Sequence, residues 1–411
     1  MNEYLFVLGR TGDLSKAEIE AVLSRMQINY QTAFSSAETL HLKFQQELDV
    51  TKLMLMLGGT IKIASVINKL SNQEDICNQV SQFIQNSIKD KDKHDKITFG
   101  LSGDSFISAK IINNLSNSIK SKLQENGFIV RFILPSSGTS LSSVVVRKQK
   151  LLEFIIISEN KEFIIAKTLI VQDFDDWGKR DFQRPAPDPH QGMLPPKVAR
   201  MMVNIANSKF AFRQETCSMQ AIPNSKITLL DPFCGTGTIL AEAMMLGLNV
   251  IGSDQSQEAI TKTKKNLEWL SKEYQISNIK YQIFRSDATH ISEKLAPESV
   301  NAIVTEPYLG PIVEAHNIKH ITQNIKNIIL GLEKLYIGCL RDWHKVIKPD
   351  GLIVIIFPYF NIDNREFSVK KPLDIRENLG YTLVSGPYKY SRPQAVVKRN
   401  IYILKKINSK H

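Results

Sequence analysis

Downstream of residue 226, short apolar runs of strand length recur between stretches of helical period: "ITLLDPF", "LNVIGSD", "KYQIFRSD", "VNAIVTE" and "GLIVIIF". A glycine-rich turn and a helix separate the first two, and "SQEAITKTKKNLEWLSKEY" lies between the second and third. Over 318–346 the apolar positions Ile318, Ile321, Ile325, Ile328, Leu332 and Leu335 mark one face of a long helix and predict a core stripe. Strands alternating with helices in this way predict a doubly wound, mostly parallel sheet, an α/β fold of Rossmann type.

Upstream the pattern differs. "EYLFVLG" is a strand, "DLSKAEIEAVLSRM" a helix with Ser15 or Asp13 as N-cap and Glu18 in its first turn, and "ETLHLKF" and "LMLMLGGTIKIASVI" are further strands. The spacing predicts a small α+β unit over 1–65. A second α/β unit over 66–170 alternates helices ("DICNQVSQFIQNSI", "SAKIINNLSNSIKSKLQENG") with strands such as "KITFGLSG", "FIVRFILP", "LSSVVVRK" and "EFIIISE", and Gly127 closes one helix from the C′ position. The proline-rich "QDFDDWGKRDFQRPAPDPHQGMLPPK" is too broken for a regular element and predicts a linker (171–190) docked on a last domain (191–411).

Composition narrows the class. With 411 residues, 43% apolar and 23% charged, the chain is ordered and too long for one comfortable core. No apolar run reaches the roughly 20 residues of a membrane helix, and the opening lacks a signal peptide, so a cytoplasmic protein without membrane contact is expected. Cys77, Cys217, Cys234 and Cys339 lie far apart, which predicts reduced thiols and no metal centre. The net charge of +11, concentrated in the middle and C-terminal parts, favours a polyanionic partner.

The chemistry starts in "LLDPFCGTGTIL". An apolar strand ends at Leu230, Asp231 follows with Phe233 and Cys234 after it, and Gly235 and Gly237 flank Thr236 before a helix. Such glycines permit a sharp turn and a close ligand approach. A dinucleotide fingerprint would place a third glycine where Leu240 stands, so a ligand without a pyrophosphate is expected. Asp254, followed by Gln255, ends the second strand, where a carboxylate accepts ribose hydroxyls; Asp287 and Ala288 end the third, where an adenine amine is read; Asp231 suits an ammonium group. A nucleoside carrying an amino acid fits all three, which points to S-adenosylmethionine.

At the fourth strand's end stands "TEPYLG". Methyl transfer to an exocyclic amine is an in-line displacement in which the protein mainly aligns the partners. Glu306 and a backbone carbonyl on the turn stiffened by Pro307 can accept the amine's two N–H bonds, and Tyr308 can stack a base swung out of its helix.

On these residues the chain resembles the THUMP-containing tRNA guanine-N2-methyltransferases acting at position 10, and the related large-subunit rRNA guanine-N2-methyltransferases. "YLFVLGRTGDLSKAEI" is similar to their N-terminal ferredoxin-like unit, "KITFGLSG" to "LSSVVVRK" to their THUMP module, "VQDFDDWGKRDFQRPAPDPHQGMLPPKVARMMVNIA" to their linker, and "YKYSRPQAVVKRNIYIL" to their C-terminal strands. The resemblance implies a THUMP region gripping tRNA or another structured RNA, with Lys110, Lys120, Lys122, Arg131, Arg147, Lys148 and Lys150 as phosphate contacts. The family carries Asp-Pro-Pro-Tyr where this chain has Glu306, Pro307, Tyr308, Leu309 and Gly310, and either Tyr308 or Leu309 aligns with its aromatic. Competing readings are methylation of rRNA guanine or adenine N6, and a non-catalytic RNA-binding protein that keeps the fold.

Overall fold

A computed structural model describes residues 1–87, 96–159, 161–188, 193–208, 227–311, 318–362, 365–391 and 395–407. Cys217 and the side chain of Ile318 fall outside this set. The chain divides into two units, one of residues 1–12 and 29–174, the other of 13–28 and 175–411.

In chain order the first part contains β1 (Asn2–Leu8), α1 (Gly12–Arg25), β2 (Tyr30–Ser35), β3 (Thr39–Phe44), α2 (Val50–Met56), β4 (Thr60–Leu70) and α3 (Asp75–Ser87). It continues with β5 (Ile97–Gly103), α4 (Ala109–Glu125), β6 (Val130–Ile133), α5 (Ser143–Lys148), β7 (Leu152–Glu159) and β8 (Glu162–Val171). Its strands form one eight-stranded sheet, ordered β2-β3-β1-β4-β8-β7-β5-β6, in which β4 and β8 join the strands of 1–65 to those that follow. Ile76, Val80 and Ile84 of α3 and Ile112, Leu115, Ile119 and Leu123 of α4 recur every three or four residues, so both helices bury one face against Phe99, Leu101 and Phe154 of the sheet. Gly127, at φ 84°, follows the end of α4 as its C′ residue.

Three segments depart from the expected elements. "VVVRK" is helical, because Ser142 caps α5 by accepting the amide of Val145; local capping outweighs the strand preference of three valines. "LMLM" is helical for the same reason, with Asp49 accepting the amide of Lys52. Helix α1 begins at Gly12, which places Ser15 and Glu18 inside it, buried, where Glu18 accepts a 2.7 Å hydrogen bond from Asn204.

The second part contains α6 (Phe174–Phe182), α7 (Pro196–Ala206), β9 (Thr228–Asp231), α8 (Thr238–Met245), β10 (Asn249–Asp254), α9 (Gln257–Glu273), β11 (Tyr281–Arg285) and β12 (Val300–Thr305). Then come α10 (Ile318–Val346), β13 (Ile347–Ile362), β14 (Arg365–Ser368), α11 (Lys371–Asp374), β15 (Tyr381–Tyr390) and β16 (Val397–Lys406). The predicted linker thus starts with a helix, held by Trp177 and Arg180 buried at a three-residue spacing. The sheet runs β11-β10-β9-β12-β13-β16-β15, parallel from β11 through β13 and antiparallel beyond. One face carries a core with α7, α8 and α9; the other packs on α10, where Ile321, Ile325 and Leu332 are buried. This is a Rossmann-like, doubly wound α/β fold.

From β9 the chain winds outward through β10 to β11, then returns to place β12 on the other side of β9. Strand order reverses there, and the carboxyl ends of β9 and β12 frame the crevice in which open α/β sheets bind ligands.

Candidate active site

A cavity of about 480 Å³ opens at that crevice. Of the residues singled out in the sequence, Asp231, Phe233, Cys234, Gly235, Thr236, Asp254, Gln255, Glu306, Pro307 and Tyr308 line it, while Gly237, Asp287 and Ala288 are not in its lining.

Asp231 closes β9 and is 1% exposed. Its Oδ1 accepts hydrogen bonds from the amide of Phe233 at 3.1 Å and the hydroxyl of Thr305, on β12, at 2.7 Å. Burial pushes its carboxyl up to about 7; repulsion from Asp254 and Glu306 adds to this, and the two hydrogen bonds oppose it. The site therefore holds a carboxyl that a ligand's cation would ionise.

The loop between β9 and α8 bends through Gly235 at φ 52° and Gly237 at φ 85°, both left-handed. A Cβ on Gly235 would meet nothing within 4 Å, so the bare backbone borders open space, whereas one on Gly237 would press on Thr263 at 3.0 Å. Asp254, at the end of β10, ties the loop down: its oxygens accept the amides of Gly235 at 3.0 Å and Ser256 at 2.9 Å. Each oxygen keeps a second lone pair for a ligand hydroxyl. Thr263 and Asn266 of α9 hold the carbonyls of Gly235 and Thr236 at 2.7 and 2.8 Å. Cys234 turns into the core, where burial pushes its thiol well above the usual range, so it is an inert packing group.

The missing third glycine is supplied by the neighbouring strand. A Cβ on Gly252 of β10 would lie 2.4 Å from Leu240 and 2.9 Å from Ile283, so helix α8 presses its leucine onto a glycine of the sheet. Asp287 instead caps a 3₁₀ turn (Ala288–Glu293), accepting the amide and hydroxyl of Thr289, each at 2.8 Å. Those bonds hold its carboxyl below its usual range.

On the β12 side, Glu306 forms an ion pair with Arg399 of β16, whose side chain is 10% exposed. Tyr336 of α10 donates a 2.7 Å hydrogen bond to the carbonyl of Tyr308. Tyr308 is 55% exposed, while Leu309 packs against the core, so Tyr308 is the side chain presented outward. Gly310 turns the chain at φ 102° where a Cβ would crowd Phe360 at 3.2 Å.

Two groups of lining residues escape sequence reasoning. Asp188 of the linker and Met193 and Leu194 just beyond it border the cavity, with the thioether of Met193 at 3.5 Å from the Thr236 hydroxyl and Asp188 paired to Lys262. The linker's proline-rich composition gave only docking, with no sign of what it docks over. Arg399 is the other; its one signal was an arginine in the midst of a C-terminal strand.

Among the basic residues of the first unit, Lys110, Arg131, Arg147, Lys148 and Lys150 are exposed. Lys110, Lys120 and Lys122 lie along α4, where Lys122 hydrogen-bonds Asn78 and Lys120 sits 6.0 Å from the Phe132 ring. Arg147 is paired with Asp173, and Arg147 and Lys148 both lie over Phe174. Arg180 and Arg184, in the second unit, are structural: Arg180 pairs with Glu242 and Asp176, and Arg184 donates to the Thr238 hydroxyl at 2.8 Å.

Residues 218–362 match the RMKL-like methyltransferase domain family, and residues 78–265 match a DNA methylase family of the N6/N4 type. A curated protein of Methanothermobacter thermautotrophicus named tRNA (guanine(10)-N2)-dimethyltransferase is 30% identical over 230 residues, 55% of this chain and 57% of that protein. Its namesake in Methanocaldococcus jannaschii is 31% identical over 224 residues, 53% of this chain and 52% of that one. The chain thus spans little more than half the length of the curated relatives it matches. The crystal structure of TrmN from Thermus thermophilus is similar in fold across 98% of this chain and 100% of that one, at a TM-score of 0.55 and 15% identity. Over about half of its length the chain is thus about 30% identical to proteins named tRNA (guanine(10)-N2)-dimethyltransferases, and residues 218–362 are similar to the RMKL-like methyltransferase domain family.

Proposed function

We propose that this chain methylates the exocyclic N2 of a guanosine in tRNA, of the position 10 type, using S-adenosylmethionine. The observation that carries the reading is one cavity bounded at one end by Asp231, the bare loop at Gly235 and Asp254, and at the other by Glu306, Pro307 and Tyr308. The donor end fits the methyl donor in chemistry: Asp231 for an ammonium, Asp254 for ribose hydroxyls, and unobstructed backbone at Gly235 for close approach. When bound, that molecule supplies an electrophilic methyl on a positively charged sulfur.

The chain's own groups do the rest. Glu306, steadied by Arg399, accepts an N–H of the amine and aims its lone pair. The turn at Pro307 presents a backbone carbonyl for the second N–H, and Tyr308 stacks the extruded base. As nitrogen gains carbon the C–S bond breaks, and the nitrogen's proton leaves along the Glu306 hydrogen bond to water. In the same reading residues 1–65 are a ferredoxin-like segment and residues 66–170 a THUMP region that grips the RNA through Lys110, Lys120, Lys122, Arg131, Arg147, Lys148 and Lys150. Relatives named as dimethyltransferases suggest two successive transfers.

The match to a DNA methylase family favours one second reading, an adenine N6 or other exocyclic amine as acceptor. Incubation with tritiated donor and separate tRNA, rRNA and DNA pools separates the two. Label in N2-methylguanosine from tRNA is expected; label confined to rRNA or DNA overturns the tRNA reading.

A further inference from the structure

Four acids, Asp188, Asp231, Asp254 and Glu306, line the cavity, and among the described residues lining it Arg399 is the one cation. It is paired with Glu306, at the acceptor end, on the second strand from the sheet's edge, with the Tyr390 ring 5.8 Å from its guanidinium carbon. A strand-borne side chain held by a ring and an ion pair has little freedom, as a recognition group requires.

We propose that Glu306 and Arg399 together read the Watson–Crick edge of the acceptor base, and that Arg399 determines specificity for a purine with a carbonyl at C6. The inference rests on the guanine N2 reading above and deepens it. A carboxylate only accepts and a guanidinium only donates. Guanine's edge presents, in a row, the N2 amine, the N1–H and the O6 acceptor. Glu306 accepts the two neighbouring N–H groups, and the guanidinium beside it donates to O6. On adenine the ring N1 carries a lone pair instead of a proton, so a carboxylate facing it meets repulsion where guanine offers a hydrogen bond. The ion pair sets the carboxylate and the guanidinium side by side, so the pair acts as one donor–acceptor surface.

The test uses RNA carrying guanosine or 6-thioguanosine at the nucleotide the wild-type enzyme methylates, with sulfur as a poor acceptor in place of O6. Arg399→Met is expected to lower kcat/KM on the guanosine RNA about tenfold to a hundredfold, the discrimination a good base contact provides, and to have much less effect on the thio-substituted RNA. Arg399→Lys, which keeps the charge without the fork, falls between and carries the same comparison if the methionine variant does not fold. Equal losses on both RNAs, or none on either, overturn the inference and leave Arg399 a group that merely positions Glu306. If the wild type forms no N2-methylguanosine in any RNA, the functional reading fails first and the inference falls with it.

Discussion

The two ends of the cavity are built by different means. At the donor end, backbone groups meet side chains within the run from β9 to α9: Asp231 takes the amide of Phe233, Asp254 the amide of Gly235, and Thr263 donates to the carbonyl of Gly235. At the acceptor end the decisive contact joins Glu306 to Arg399, 93 residues away, across three strands of the sheet. Apart from Thr305 of β12, whose hydroxyl donates to Asp231, these donor-end contacts come from one short run of the chain. The acceptor end depends on β16 being placed beside β13.

The largest effect should fall on the acceptor end alone. Glu306→Gln removes the carboxylate charge while keeping the shape, and turnover should drop by about a hundredfold or more with donor affinity nearly unchanged. Single-turnover assays beside calorimetric donor titration measure both; unchanged turnover removes Glu306 from the mechanism.

Next in size is a lesion that strikes only the donor end. Gly252→Val forces a side chain into the space of Leu240 and Ile283, and overpacking of that kind costs about 1–3 kcal/mol. A lowered Tm together with lost donor binding is expected. Retained donor affinity would show that the crossing of α8 over β10 does not shape the loop.

The pH dependence sharpens the contrast further. The folded carboxyl of Asp231 keeps its proton to about 7, whereas the unfolded one releases it near 3.8. Its contribution to stability is therefore present at low pH and lost as pH rises through about 7. Asp231→Asn should gain stability relative to the wild type between about pH 5 and about pH 8, read as the difference in Tm. Donor affinity has the opposite sense, since an ammonium favours the ionised carboxyl, and should fall below about pH 7 in the wild type but not in the variant. A parallel dependence in both proteins would acquit Asp231.

The smallest effect lies far from both ends. Arg147→Ala breaks an exposed ion pair with Asp173, and such pairs contribute about 0–1 kcal/mol, so Tm should barely move. RNA affinity and its salt slope should fall if this arginine meets a phosphate. Filter binding at two salt concentrations decides, and an unchanged slope removes Arg147 from the interface.

How legible the molecule was in its sequence follows the same division. The run of strands and helices after residue 226, the glycines at 235 and 237 and the strand-end acids were readable because each signal is local: a period, a left-handed turn, a carboxylate after an apolar run. Where two local signals competed, one was misjudged; the valines of α5 suggested a strand until Ser142 capped them. Asp287 stands two residues past the end of β11, where its oxygen serves Thr289, a preference that an acid after an apolar run does not reveal.

What the sequence by itself determined is the winding order of the second unit and the chemistry available at its first turn, because hydrophobic period and backbone freedom act over a few residues. Only the tertiary structure decided that Gly252 stands in for the absent glycine, that Met193 and Asp188 border the cavity, and that Glu306 has an arginine for a partner. Those facts depend on which distant strands become neighbours. That is set by the burial of whole sheet faces, and no short stretch of the chain encodes it.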